Sequence, residues 1–486
     1  MKKTLVLILC LAIVFAPVLG VVAAAAEYEA DCPYIFVHGF MGSDIYVDPS
    51  DPDSELAWPP SSDRIMKAVG KSLPIIGKLL ITHNWDKFAD ELIPVVCDMF
   101  SPIFLTENGE LDNASGVRWS YPEKDEIKKD SQLEFVYDWR LNPLDTASGL
   151  NDFINYVLEC SGCRQVVLEC HSYGAVVCTT YAKLFGTSKV RSWAYNSGAV
   201  YGETYNGELM TGQMTFDSEA LTEYLRCQFD LNENDEMLNA LVDVLYYTGI
   251  TGGACNLVNY MIDKIGMEKL ATGILPLFGR WYSIWAMIPD DKIDEAYSYV
   301  FDVVYKDDGV DRSNLRAGIE AYNNEIRPYK AETIAEINET SNLYIIARYG
   351  YPSVFMTPSW KNMSDSTIDL MFASQGATAS LYGETLSDDY IAGVPAEYIS
   401  PDKTVDASTC TYPEQTWFVR NTTHANLGGS LGHMIKVLLY YDGQATVDTF
   451  PEYPRFLYYD EDTYVIVPDT NQQEDTGFFG KIKSLF

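Results

Sequence analysis

The chain has 486 residues, of which 47% are hydrophobic and 13% aromatic, ample for a packed core and inconsistent with disorder as its main state. Lys and Arg number 34 against 69 Asp and Glu, a net charge of −35, which disfavours a nucleic-acid partner and electrostatic docking on anionic lipid. The length suits about three domains of ~150 residues, or one large α/β domain with insertions.

Lys2 and Lys3 form a positive start, residues 4–22 are almost wholly apolar, and residues 23–26 are four alanines. This pattern predicts a signal peptide over residues 1–26 and a mature chain that is secreted or extracytoplasmic. No later run is long and uniform enough to span a bilayer. Nine cysteines follow Cys10, so export permits disulfides but parity forbids pairing all of them within one chain. Cys160 and Cys163 form a C-x-x-C with no second pair nearby, which reads as a local turn, bridged or free, rather than a zinc site. Asn113, Asn338, Asn362 and Asn421 each open an N-x-[ST] sequon.

Residues 32–39 (CPYIFVHG) predict a buried strand running into a loop. Residues 48–130 read as an insertion, proline-rich at first and with helical spacing over 65–96. Residues 131–139 (SQLEFVYDW) predict a second strand, and 145–160 an amphipathic helix capped by Asp145. Residues 165–170 (QVVLEC) read as a third strand, 173–185 as an apolar helix closed by Gly186, and 190–195 as a fourth strand. Strands alternating with helices predict an α/β fold with a mostly parallel sheet. Residues 202–342 are largely helical and dense in apolar clusters, a cap or lid. Strand character returns at 343–348 and 416–420, and a last apolar helix covers about 430–440. The domain reading is therefore a first part of the core over 27–201, the cap over 202–342, a second part over 343–440, and a C-terminal extension over 441–486. Its tail, residues 477–486 (GFFGKIKSLF), reads as a frayed terminus or a contact with a lipid interface.

The sharpest constellation is Cys170-His171-Ser172-Tyr173-Gly174, set between a buried strand and a helix. A tight strand-to-helix turn of this kind exposes a serine and aims a helix N-terminus at it. Cys170 stands where the G-x-S-x-G pattern has its first glycine. The other reading of Ser172 is an ordinary helix N-cap. Gly428-Gly429-Ser430-Leu431-Gly432 matches the full pattern, but no buried strand runs into it, so Ser430 reads as a helix start. Among five histidines, His424 lies in a loop just past a strand and downstream of the serine, where a general base belongs. His433 falls within the following helix.

Two stretches share the pattern D-x-T-[VI]-D, beginning at Asp365 and Asp402. Both lie in the interval where the acid partner is expected. Asp365 is preferred because it is closer to the end of the strand at 343–348. The backbone N–H groups of Phe40 and Tyr173 are the candidate oxyanion hole. The Asp138–Arg140 pair reads as a structural ion pair.

His38-Gly39, Tyr137-Asp138-Trp139-Arg140, the Ser172 elbow, Asp365-x-Thr367-Ile368 and His424 occur in the order seen in lipase-like α/β-hydrolases. The Tyr-Asp-Trp-Arg stretch resembles the lecithin:cholesterol acyltransferase-like branch. There the acid is followed by glycine, threonine and valine, whereas this chain has Ser366 or Lys403 at the glycine position. The resemblance implies an α/β-hydrolase fold with a mostly parallel central sheet and a large helical cap. It also implies acyl-ester hydrolysis or transfer on a lipid-like substrate, with transient contact at a lipid interface. The expected catalytic residues are Ser172, His424 and Asp365, and no metal or cofactor is implied. A scaffold that binds lipid without catalysis, and an acyltransferase, are the alternatives. The insertions at 62–105 and 202–342 read equally as a lid over an acyl chain or as plain helical core.

Overall fold

The computed structural model describes residues 28–111, 115–229, 235–306, 308–460 and 463–470. The expected signal peptide, the sequon at Asn113 and the tail at 477–486 lie outside the described residues.

The chain first lays down strand β1 (Tyr34–Val37) and a helical hairpin of α1 (Ser62–Thr82) and α2 (Trp85–Phe100). The helical spacing over 65–96 is thus cut in two. His83 takes a left-handed φ of 51° and Asn84 caps the second helix by accepting from the Lys87 N–H. Strand β2 (Gln132–Phe135) and helix α3 (Pro143–Ser161) follow. Asn142, not Asp145, caps α3: its side chain accepts from the Leu144 N–H at 3.0 Å, and Pro143 fills the first helical position. Next come β3 (Val166–His171), α4 (Tyr173–Phe185) and β4 (Val190–Asn196).

The cap follows, with α5 (Thr204–Met210), α6 (Ser218–Phe229), α7 (Asp235–Tyr247), α8 (Ile250–Ile265) and α9 (Met267–Phe278), then α10 (Ser313–Glu325) and α11 (Lys330–Thr340). The chain re-enters the sheet as β5 (Asn342–Tyr349) and β6 (Thr416–Arg420), and α12 (Gly429–Tyr440) leads to β7 (Phe456–Asp460) and β8 (Val465–Pro468). The last two strands belong to the region read from sequence as a C-terminal extension. They widen the core sheet instead.

The eight strands form one sheet in the order β2-β1-β3-β4-β5-β6-β7-β8, parallel throughout except for the antiparallel β7–β8 edge. Every residue of β3 (VVLECH) is buried, as a parallel strand covered by helices on both faces requires. The chain runs from β1 outward to β2, then returns to β3 and steps steadily the other way. The order reverses between β1 and β3, and in open α/β sheets ligands bind outside the carboxyl ends of the strands at such a point. The register sets Val37 of β1 level with Phe135 of β2 and Cys170 of β3, so three loops leave the sheet together there.

The two insertions meet each other. Ile75 and Leu79 of α1, Phe88 of α2 and Met261 of α8 share one apolar cluster, and Lys269 of α9 pairs with Asp90 of α2 at 2.9 Å. A second cluster joins Leu221 and Leu225 of α6 and Val242 of α7 to Phe355 and Trp360, which follow β5. The insertions also leave large apolar side chains in solvent: Leu80 and Ile81 of α1 are 71% and 82% exposed, and Tyr247 of α7 is 72% exposed. No helix among the described residues is long and apolar enough to cross a membrane.

Candidate active site

Ser172 sits at the strand-to-helix turn between β3 and α4 with φ 56° and ψ −125°, a conformation that costs a non-glycine residue energy and is held by its surroundings. Its N–H donates to Asn196 O, and its own carbonyl accepts from Ala175 and Ala199. Gly174 shows why the turn tolerates no side chain two residues on. A Cβ there would lie 2.1 Å from Val37 O and 2.7 Å from His38 O. Cys170, in contrast, fits in place of the pattern's first glycine as a fully buried side chain beside Cys178. Cys160 and Cys163 are free thiols, not bridged to each other.

The loop after β1 crosses directly over the serine. A Cβ on Gly39 would meet Ser172 Cβ at 2.6 Å and Oγ at 2.9 Å, so glycine permits this approach. The next residue is Phe40, whose N–H has no acceptor among the described residues. The Tyr173 N–H opens α4 and so has no intrahelical acceptor either. Phe40 packs its ring between Trp139, at 4.9 Å, and Trp281 of the cap segment, at 6.0 Å. His38 is a structural residue of this loop. It stacks on Tyr137 at 4.2 Å, and burial pushes its pKa down to about 4, the Gly39 carbonyl opposing only in part.

Asp365 and His424 come together as the sequence order suggests. His424 Nδ1 lies 2.8 Å from Asp365 Oδ2, and the His424 N–H donates to the Asp365 carbonyl at 2.7 Å. The other carboxylate oxygen accepts from the N–H groups of Ile368 and Thr367 at 2.7 and 3.2 Å. Burial alone would raise the Asp365 pKa. His424, Arg348 and the Ile368 amide outweigh it and hold the carboxyl below the usual range. Ser366 takes φ 74° where the resembled family has glycine, so the backbone geometry survives the substitution. The His424 ring reaches the elbow by packing on His171, with centroids 4.6 Å apart. Ser172 Oγ and His424 are not hydrogen-bonded to each other among the described residues. Such contacts often tighten only when substrate is bound.

The remaining candidates fall elsewhere. Asp402 closes its own turn, its Oδ1 accepting from Ser400 Oγ at 2.6 Å and Thr404 Oγ1 at 2.9 Å, and it does not meet His424. Ser430 lies in the first turn of α12 and ties it to β8, donating to Tyr464 O and accepting from the Ile466 N–H. Asp138 and Arg140 form a buried two-pronged ion pair that also grips Ser115.

Two features escaped the sequence reading. Arg348, at the end of β5, is fully buried beside Asp365, and the only signal was an arginine closing an apolar strand. Glu203, also fully buried, accepts from the Asp369 N–H at 3.3 Å; burial, then Asp369 and Asp365, push its pKa well above the carboxylate range. No group of three or more His, Cys, Asp or Glu side chains suited to a metal ion occurs among the described residues. A cleft of about 650 Å³ opens between α2, α8 and α9, lined by Ala89, Pro94 and Lys269 among others, and it shares no residue with the Ser172 site.

No family model matches the chain, and no curated protein matches it. Among solved structures, a chain described as "The crystal structure of Tle4-Tli4 complex" is similar at 12% identity with a TM-score of 0.26. That alignment covers 65% of this chain and 75% of that one, and at such a score the likeness carries no argument. The fold and site define an α/β protein with a mostly parallel eight-stranded sheet, which carries a strained serine and an Asp–His pair with its carboxylate buried at the carboxyl ends of its strands.

Proposed function

We propose that this protein is an α/β-hydrolase-type serine hydrolase that cleaves acyl esters through an acyl-enzyme. The observation that carries the reading is the 2.8 Å Asp365–His424 contact packed against the elbow that strains Ser172. With Asp365 accepting from Nδ1–H, the lone pair of His424 lies on Nε2, the nitrogen that takes a proton from Ser172 Oγ. The oxygen attacks the ester carbonyl, and the Phe40 and Tyr173 N–H groups receive the oxyanion. His424 then returns the proton to the leaving alcohol. Water, deprotonated by the same imidazole, releases the acid and restores the serine.

The substrate class is an acyl ester of a lipid. The helical insertions form a cap whose exposed apolar side chains suit contact with a lipid interface, and the acidic chain favours an uncharged or zwitterionic one. The leader pattern supports action outside the cytoplasm. An acyltransferase would run the same first half-reaction and pass the acyl group to an alcohol. A lipid-binding scaffold would use the cap alone.

The test is labelling with a fluorophosphonate, with and without detergent micelles, of the wild type, Ser172→Ala and Ser430→Ala. Labelling lost only in Ser172→Ala is expected. A folded wild type that stays unlabelled in both conditions would refute the reading in favour of the scaffold. Product analysis with an added alcohol separates hydrolysis from transfer.

A further inference from the structure

Arg348 is the most heavily committed buried charge in the site. Its Nη1 donates to the carbonyls of Thr423 and Asn426, at 3.0 and 2.7 Å, which bracket His424 in the chain. Its Nε donates to Ser197 Oγ at 2.8 Å and stands 3.8 Å from Asp365 Oδ2. Its Nη2 lies 3.0 Å from Nε2 of His171. One side chain thus touches the base loop, the acid and the residue before the serine.

The last contact fixes a protonation state by elimination. A guanidinium has donors only and stays charged, so His171 Nε2 must accept. The ring is then neutral, with its proton on Nδ1. Its face lies against His424, centroids 4.6 Å apart and planes tilted by 33°. Around His171 stand Arg348 from β5, His424 from its downstream loop and His38 from the loop after β1, while Arg348 in turn faces Asp365 and Glu169. Burial first, then the positive character of His424 and Arg348, hold the His171 pKa well below that of a free imidazole.

We propose that Arg348 and His171 are a positioning pair for the catalytic base, with Arg348 fixing the His424 loop and holding His171 as a neutral wall for the His424 ring. This rests on the hydrolase reading, and it adds what that reading lacks. His424 becomes an imidazolium during turnover. A second cationic ring packed on it would oppose that charge, whereas a neutral one supports its orientation without penalty. The wall also limits how far His424 can swing from Ser172 while Asp365 anchors only one of its nitrogens. Neither residue touches substrate in this scheme.

The first readout needs no catalysis. ¹⁵N NMR of the wild type should show His171 neutral, protonated on Nδ1, from pH 5 to 8; a ring that titrates in that range or carries its proton on Nε2 overturns the proposal. The second is the pH profile of kcat/KM in Arg348→Lys and His171→Phe. Arg348→Lys keeps the charge but not the fork, so the Thr423 and Asn426 carbonyls lose their shared donor while burial and the retained charge still keep His171 neutral. The acid limb should keep its one-proton slope, with kcat falling about 10²-fold and KM little changed as the His424 loop loses its anchor. His171→Phe keeps a flat neutral wall and should retain a one-proton limb, whereas His171→Ala should lose kcat like Arg348→Lys. Equal losses in Phe and Ala, or a kcat in Arg348→Lys within about threefold of wild type, would refute the pair while leaving the hydrolase reading standing. A wild type that no fluorophosphonate labels would instead remove the hydrolase reading itself.

Discussion

Replacing Asp365 by asparagine tests the base–acid contact, because the surroundings dictate how the amide must sit. Oδ1 of Asp365 receives two backbone N–H groups, at 2.7 and 3.2 Å, while Oδ2 faces His424 Nδ1 at 2.8 Å. Asparagine has one oxygen, and the two amides claim it. Its NH₂ therefore points at His424, which must offer a bare Nδ1 and carry its proton on Nε2. That tautomer cannot take the proton of Ser172, so a loss of roughly 10⁴ in kcat is expected, the scale of such tautomer errors in serine enzymes. Stability should fall as well. At 3.8 Å and an effective dielectric of about 20, Arg348 and Asp365 attract by about 4 kcal/mol. Stripping one partner from a buried pair costs about 3–5 kcal/mol, offset here by the contacts Arg348 keeps to neutral acceptors. Asp402→Asn is the comparison: among the described residues its carboxylate meets its own turn and Arg420, at 3.6 Å, so activity should stay within about threefold. Ester turnover, thermal melting and fluorophosphonate labelling rate on both variants decide the matter. Asp365→Asn retaining more than a tenth of wild-type kcat, or Asp402→Asn losing as much, would refute the assignment.

Gly174→Ala should cost about 10²-fold in kcat, because its Cβ would lie 2.1 Å from Val37 O and must push the elbow off the oxyanion loop. Gly70→Ala, where nothing lies within 4 Å, should leave turnover unchanged, and equal behaviour of the two variants would sink the argument. Glu203→Gln should raise the melting temperature, increasingly so as pH rises. The Glu203 pKa is raised on folding, so wild-type stability is greatest below the unfolded value near 4.5 and declines as pH climbs toward the folded one. The glutamine removes that decline and offers its NH₂ to the unpartnered Asp369 Oδ1. A melting difference that is flat or shrinking between pH 5 and 8 would contradict the assignment.

Local chemistry made most of the sheet legible. The strands β1, β3, β4, β5 and β6 and the helix Tyr173–Phe185 follow from apolar runs closed by glycine or by a turn, and their order gives the parallel core. Two kinds of element resisted. The cap of α3 was misplaced because Asn142 and Asp145 are both good capping residues, and only Pro143 at the first helical position shows which one caps. The strands β7 and β8 are short and flanked by proline and acidic residues, and two of the four residues of β8 are exposed. Such an edge pair takes its shape from the sheet it joins, so its own sequence carries little periodicity.

The site divides along the same line. The elbow was legible because a serine, a helix start and a close-packed glycine lie within three residues of one another. The choice of acid was not, since Asp365 and Asp402 carry the same local pattern. What separates them is the arginine each one meets. Arg348 at the end of β5 stands 3.8 Å from Asp365, and Arg420 at the end of β6 stands 3.6 Å from Asp402. Arg420 spends its fork on Asp469, at 2.7 and 2.9 Å, far along the chain. Arg348 meets no carboxylate but Asp365 within 4 Å among the described residues, and gives its other donors to the loops that carry Ser197, His171 and His424. In the proposed hydrolase the acid is thus the aspartate whose arginine is committed to the His424 loop. That commitment is a contact over tens of residues, which no motif window contains.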